Sequence, residues 1–171
     1  DNGVLFRSRS EKKIRKPILE DDLVEAVIAL PENLFYNTSS PGCILILNKD
    51  KPEEREGKVQ FIYAEDQTLR ESEVRVFEEL SNQNQLTDKG VEYLAETFLT
   101  GREENHHSRL VDLKEIEEND WNLNVPRYVD TTEPEEPIDV STKLEELDRL
   151  AEERQKTDEE LQEYMEELDY Q

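Results

Sequence analysis

Leu23-Val24-Glu25-Ala26-Val27-Ile28-Ala29-Leu30, closed by Pro31, is the stretch that decides the fold. An apolar run of strand length, broken only by Glu25 and ended by proline, suits a strand buried on both faces of an α/β sheet. Two more runs follow closely. Cys43-Ile44-Leu45-Ile46-Leu47 reads as a second buried strand, and Val59-Gln60-Phe61-Ile62-Tyr63 as a third with partial alternation. No helix-length segment separates them. The spacing therefore predicts antiparallel pairing rather than a βαβ crossover, which takes a dozen or more connecting residues.

Upstream of this block, Asp1 to Phe6 reads as the exit from a strand, with Asn2-Gly3 as a turn signal. Ser8 to Asp22 reads as a helix with Ser10 as its cap, and Pro17 predicts a break in it. Downstream, the pattern turns helical from Leu69. Thr87-Asp88-Lys89-Gly90 opens an amphipathic helix with Val91, Leu94, Ala95, Phe98 and Leu99 on one side, stopped by Gly101. Val111 to Ile116 begins a further short helix with Asp112 as cap. Asn119 to Asp130 is extended and irregular. Residues 131–140 form an acidic linker with Pro134 and Pro137. Residues 141–171 read as a helical, coiled-coil-like tail with a seam at Leu144, Leu147, Leu161, Met165 and Leu168. Capping signals at Thr142 and Thr157 leave one helix or two open. The stripe is too narrow to be stable alone, so the tail is expected to dock.

Composition bounds the function classes. Leu, Ile, Val and Phe number 44 of 171 residues, enough for one modest core despite a charged fraction of 38%. No apolar run approaches the roughly 20 residues of a membrane span, and no signal peptide is read at the start. Cys43 is the single cysteine, which excludes disulfide frameworks and cysteine-based zinc sites. The net charge of −23 argues at first sight against DNA as a partner.

The catalytic inventory is thin. His106 and His107 are adjacent in a polar loop and read as surface residues. Cys43 reads as a small core residue. The five glycines are isolated, so no Gly-rich loop is available to cradle a phosphate. No metal site and no catalytic residue is assigned. Two features stand out. Phe35 and Tyr36 lie in a loop directly after a strand, where they either staple the loop to the sheet or form an aromatic wall for a planar ligand. Arg7, Arg9, Lys12 and Lys13, with Arg15 and Lys16, form a basic cluster in an acidic chain. It is either a helix face paired with Glu11 and Glu20 or a contact for phosphate.

Three stretches together resemble the N-6 adenine DNA methylase family: Asn2 to Arg7, Leu23 to Thr38, and Pro41 to Lys49. A fourth, Glu118-Asn119-Asp120-Trp121-Asn122-Leu123-Asn124-Val125-Pro126-Arg127-Tyr128, is similar to that family's signature after the catalytic sheet. The likeness covers residues 1–130, more weakly over 65–105, and is closest to the modification subunit of type I restriction-modification systems. It implies a Rossmann-like α/β methyltransferase fold, S-adenosylmethionine as cofactor, DNA as substrate, and specificity and restriction subunits as partners in the cytoplasm. The family's donor-binding glycine loop and its Asn-Pro-Pro-aromatic motif do not occur here. Asn33-Leu34-Phe35-Tyr36 lacks both prolines. The resemblance therefore places this chain in the C-terminal part of such a subunit, with residues 1–130 supplying the far side of the sheet and an edge strand left open. It makes Phe35 and Tyr36 candidates for the target-base pocket, Arg7, Arg9, Lys12 and Lys13 candidates for the DNA backbone, and the tail seam a candidate for subunit docking. A non-catalytic acidic interaction module and a methylase of another defence system stay open as alternatives.

Residues 133–171 hold 16 acidic and 4 basic residues, a net −12, while the other 132 hold 28 and 17, a net −11. Acid spread in this way over a chain that resembles a family that handles DNA points to adaptation to high salt, where screening within a few ångströms blunts repulsion. Thermal melts followed by circular dichroism are expected to show the melting temperature falling as salt is withdrawn; a melting temperature that holds or rises overturns the halophilic reading.

Overall fold

The apolar run builds strand β1 (Val24–Ala29), and all six residues are buried. The computed structural model describes residues 2–132 and, beyond them, residues 147, 149–151, 153–157, 161 and 165. The chain divides into two units, residues 1–132 and 133–171. In the first, β1 is followed by β2 (Cys43–Leu47), β3 (Lys58–Tyr63), β4 (Phe77–Glu79), β5 (Asn84–Leu86) and β6 (Ser108–Asp112). The main sheet has the order β2-β1-β3-β6, and β4 pairs with β5 as a separate antiparallel ribbon.

The expected all-antiparallel pairing holds for β1 with β2 but not for β3, which runs parallel to β1 on its other side. The expectation failed because it treated consecutive strands as partners. Antiparallel β2 itself carries the chain back to the starting end of β1. The segment Asn48–Gly57 then has only to pass the end of β1 to begin β3, so no crossover helix is needed. β6 closes the other side, antiparallel to β3.

Glu25 sits at an irregularity in the β1–β2 register, where Val24 faces Leu47 and Ala26 already faces Ile46. The extra residue is a bulge, and it resets the alternation of side chains. Val24 consequently joins Val27 and Ala29 on one face, while Ile28 and Leu30 point to the other. The first face packs on Leu5, Leu19 and Ile116, with Trp121, Leu123, Val125 and Tyr128 from the irregular 119–130 stretch. Phe61 and Tyr128 stack there with ring centres 4.2 Å apart. Burial pushes the Tyr128 phenol up to about 12. The second face packs on Leu94, Leu69, Val76 and Phe77.

Helices cover both faces. Gly3–Phe6 is a single turn (α1) rather than a strand exit, and Ser10–Glu20 is an uninterrupted helix (α2). Pro17 does not break it: Pro17 and Lys13, whose carbonyl loses its usual donor, are both exposed residues, so the lost bond lies on the helix's outer side. Ser10 is the first helical residue, not the cap. Asp88–Thr100 (α3) matches its sequence signals closely. The Thr87 hydroxyl accepts from Gly90 N at 2.9 Å, and Gly101 ends the helix in the left-handed region with φ 65. Leu113–Glu118 (α4) follows β6 directly. The helix expected from Leu69 is absent, and β4 and β5 occupy that stretch. Cys43–Leu47 is not a buried strand but the sheet's outer strand, with Ile44, Leu45 and Leu47 partly in water.

In the second unit the described residues are helical, and Leu147, Leu161 and Met165 are exposed. Leu144 and Leu168 lie outside the described residues.

Gly90 lies where α3 crosses the backbone of Val76, and a Cβ there would stand 2.4 Å from the Val76 carbonyl oxygen. Gly to Ala in an open helix gains up to about 1 kcal/mol. Here the sign reverses: Gly90→Ala is expected to destabilise the chain by about 1–3 kcal/mol in urea titrations, and a neutral or stabilising result overturns the close-packed reading of that crossing.

Candidate functional site

Because β1 and β3 are parallel, Ala29 and Tyr63 end side by side, and the segments leaving them share one end of the sheet. Loops beyond the carboxyl ends of strands are where α/β sheets present ligand contacts. The loop leaving β1 is closed at its base by Leu30 N donating to Gly42 O at 3.0 Å. Asn33 and Asn37 turn the chain at positive φ, 54 and 63, a conformation Asn tolerates better than most residues. The β4–β5 ribbon docks against this loop through the apolar cluster that Leu30 and Leu34 share with Phe77 and Leu86, and through the hydrogen bonds of one residue. Asn84 N donates to Asn33 O, and Asn84 Nδ2 to Glu32 O, both at 2.8 Å. Between the loop and the ribbon tip opens a cleft of about 630 Å³, lined by Asn33, residues 35–39 and residues 80–83.

Phe35 and Tyr36 take different roles in it. Phe35 is half exposed, and its ring edge rests on Gly42, where a Cβ would come within 2.4 Å of Cε2. It packs the loop down and also lines the cleft. Tyr36 is 82% exposed and is held by no neighbour's bulk. An exposed phenol ring amid amide side chains can stack on a planar heterocycle while the amides hydrogen-bond its edge. The ribbon tip, Ser81-Asn82-Gln83, was not anticipated as part of this cleft. The signal available in the sequence was a polar, turn-forming run between Leu80 and Leu86, overshadowed by the helical reading from Leu69. Near the cleft, half-buried Glu65 has its carboxyl pushed up by burial first, then by Asp66 and Glu32.

The basic cluster divides. Arg15 is buried and structural: Nε donates to Trp121 O and one terminal nitrogen to Val4 O, each at 2.6 Å. Lys12 pairs with Asp120, and Lys16 pairs with Glu20 while lying 5.5 Å from the Trp121 ring centre. The Arg7 guanidinium lies against Gly3. Arg9, at φ 72, and Lys13 are exposed. No residue of α2 lines the aromatic cleft, so the two features read from the sequence are not brought together.

The histidines also part company. His107 is not on the surface. It is 2% exposed, with Nδ1 2.7 Å from Tyr63 O, and burial holds its imidazole below the ordinary value. His106 lines a separate acidic cleft with Glu71, Glu103, Glu104 and Asp130, beside an Arg109–Glu115 pair at 2.8 Å. Cys43 is only partly buried. Among the described residues, no three His, Cys, Asp or Glu are grouped to hold a metal, and no helix is long and apolar enough to cross a membrane.

The sequence profile of the N-6 DNA methylase family matches residues 1–137. The chain belongs to that family. Within it, the chain is 42% identical over 168 residues to the type I restriction enzyme MjaVIII methylase subunit of Methanocaldococcus jannaschii, covering 98% of this chain and 28% of the relative. It is 45% identical over 150 residues to the MjaVII methylase subunit of the same organism, covering 88% and 25%. Among solved structures, a type I restriction-modification methyltransferase subunit from Streptococcus thermophilus superposes with a TM-score of 0.66 at 38% identity, over 76% of this chain and 25% of that one. A structure from a type I restriction-modification assembly, 19% identical with a TM-score of 0.53, shares the fold over 97% of this chain and 34% of its own. The mixed α/β sheet is thus that of type I methyltransferase subunits, and the chain spans about a quarter of the length of these methylase relatives.

Proposed function

We propose that this chain is part of a type I modification subunit, a site-specific enzyme transferring a methyl group from S-adenosylmethionine to the N6 atom of adenine in DNA. The 42% identity over 98% of the chain to a type I methylase subunit carries this reading. Residues 1–130 then form the far part of a Rossmann-like methyltransferase sheet, residues 131–140 a linker, and residues 141–171 a docking tail.

The glycines argue that the methyl donor is held elsewhere in the subunit. Next to Gly3, Gly42 and Gly90 the space a Cβ would take is filled by Arg7, Phe35 and Val76 in turn, Arg55 stands 3.3 Å from that of Gly101, and Gly57 has nothing near it. None forms a cradle for a nucleoside, so no step of methyl transfer is assigned to these residues. What this chain offers is a place for the extruded base. Tyr36 and Phe35 supply exposed ring faces, and the Asn and Gln side chains of the cleft supply donors and acceptors. Arg9 and Lys13, and after exchange of their present contacts Arg7 and Lys12, supply positive charge for the DNA backbone. The exposed Leu147, Leu161 and Met165 supply an apolar seam for the specificity subunit, and the restriction subunit is a further partner of the complex. An enzyme acting on DNA in this way works in the cytoplasm, and in a halophile its acidity is a solvent adaptation.

Replacing both Phe35 and Tyr36 by Ala in the full-length subunit is expected to lower adenine methylation roughly 10- to 100-fold, the equivalent of one lost stacking platform, with circular dichroism unchanged; full activity overturns the base-pocket role. Deleting 142–171 is expected to abolish co-purification with the specificity subunit, and undiminished co-purification overturns the docking role of the tail.

A further inference from the structure

The cleft beside the aromatic loop is set apart by charge. Residues 33–48 and 80–87 are the two longest stretches of the sequence without Asp, Glu, Lys or Arg. Every residue lining the cleft comes from one or the other. In a chain of net charge −23, this is a place where a polyanion meets no lining carboxylate. On the ribbon the acids resume behind the tip, at Glu79 and at Glu78, which pairs with Arg75 at 3.8 Å.

The ribbon tip offers one apolar side chain to that surface. Leu80 N donates to Gln83 O at 2.9 Å, which closes a tight turn with Ser81 and Asn82 at its end. Leu80 is 49% exposed and belongs to neither apolar cluster. A lone half-wet leucine needs no explanation by itself. This one has a fixed mounting. Its neighbour Glu79 faces Asn84 in the β4–β5 register, and the two bonds of Asn84 help hold the ribbon beside the loop of Phe35 and Tyr36. Leu80 thus stands on one wall of the cleft and Tyr36 on the other.

We infer that Leu80 is a wedge, which enters the DNA stack at the place vacated by the adenine that swings out toward Phe35 and Tyr36. The inference rests on the function proposed above. Extrusion costs the unstacking and unpairing of the base, and an apolar side chain inserted between base steps offsets that cost. A leucine on a short, uncharged turn suits the place. Neither the wedge nor Ser81 and Asn82 beyond it brings negative charge against phosphate. The two walls then divide the work: the loop receives the base, and the ribbon tip fills the gap it leaves.

Methylation by the full-length subunit, assembled with its specificity partner, tests this on two duplexes. One holds the target adenine opposite thymine, the other opposite an abasic site. Leu80→Ala is expected to lower the rate on the matched duplex about 10- to 100-fold. On the abasic duplex, where the adenine has no partner to leave, the loss is expected to be about threefold at most. Leu80→Met keeps the bulk and the apolar character, and is expected to stay within about threefold of the unsubstituted complex on both duplexes. Fluorescence of 2-aminopurine at the target position reads extrusion itself. It is expected to rise when the unsubstituted complex binds and to rise less with Leu80→Ala. In an active complex, equal losses on the two duplexes, no loss on either, an undiminished fluorescence rise, or a Leu80→Met defect as deep as that of Leu80→Ala overturns the wedge. An unsubstituted complex that methylates adenine in neither duplex overturns the functional reading, and the wedge falls with it.

Discussion

One buried ion pair fixes how this sheet is threaded. Glu25, 7% exposed in an otherwise apolar strand, receives Arg55 at 3.0 Å and the Asn48 side-chain amide at 3.0 Å. Arg55 continues outward to the carbonyls of Phe98 and Leu99 at the end of α3. A buried charge is tolerable only when its hydrogen-bonding capacity is filled, and removing one partner of such a pair costs about 3–5 kcal/mol. Here both carboxylate oxygens are used. The pair ties the segment that passes from β2 to β3 against the end of β1. Asp22 reinforces the same crossing by accepting from Gly57 N at 2.8 Å and pairing with Lys51. Replacing the pair with apolar residues could preserve packing, but it would not say which strand follows which.

The parts of the fold that were legible in sequence are those decided locally. The helix at 88–100 carried its own boundary chemistry in Thr87 and Gly101, and the apolar run at 24–29 could only be interior. The parts that were not legible depend on residues far apart. Whether β3 lies parallel to β1 turns on where β2 returns the chain. Whether Cys43–Leu47 is buried turns on what polypeptide lies beside it, because hydrophobicity records the environment a strand requires rather than the one it has. His107 read as a loop residue because nothing nearby in sequence foretells the Tyr63 carbonyl that receives it. The β4–β5 ribbon was hidden because short, half-exposed strands leave little periodicity to detect. At the candidate site, the aromatics were visible in sequence but their inequality was not, since it comes from Gly42 lying under one ring.

Charge reads differently once it is placed. Several of the basic residues that looked like a nucleic-acid surface are spent on structure, with Arg15 joining α2 to the Trp121 segment and Lys12 pairing with Asp120. Fewer cations are therefore left to face an anionic partner than the sequence count implies.

Asn84 has a consequence beyond docking a ribbon. Both of its bonds end on backbone carbonyls, those of Glu32 and Asn33, so main chain and one amide, with the apolar cluster of Leu34, Phe77 and Leu86, space the two walls of the aromatic cleft. The side chains that line the cleft, from Tyr36 to Gln83, take no part in setting that spacing. Shape and chemistry are thereby separated: the lining can change without rebuilding the frame, and the frame can fail through Asn84, a residue that does not line the cleft.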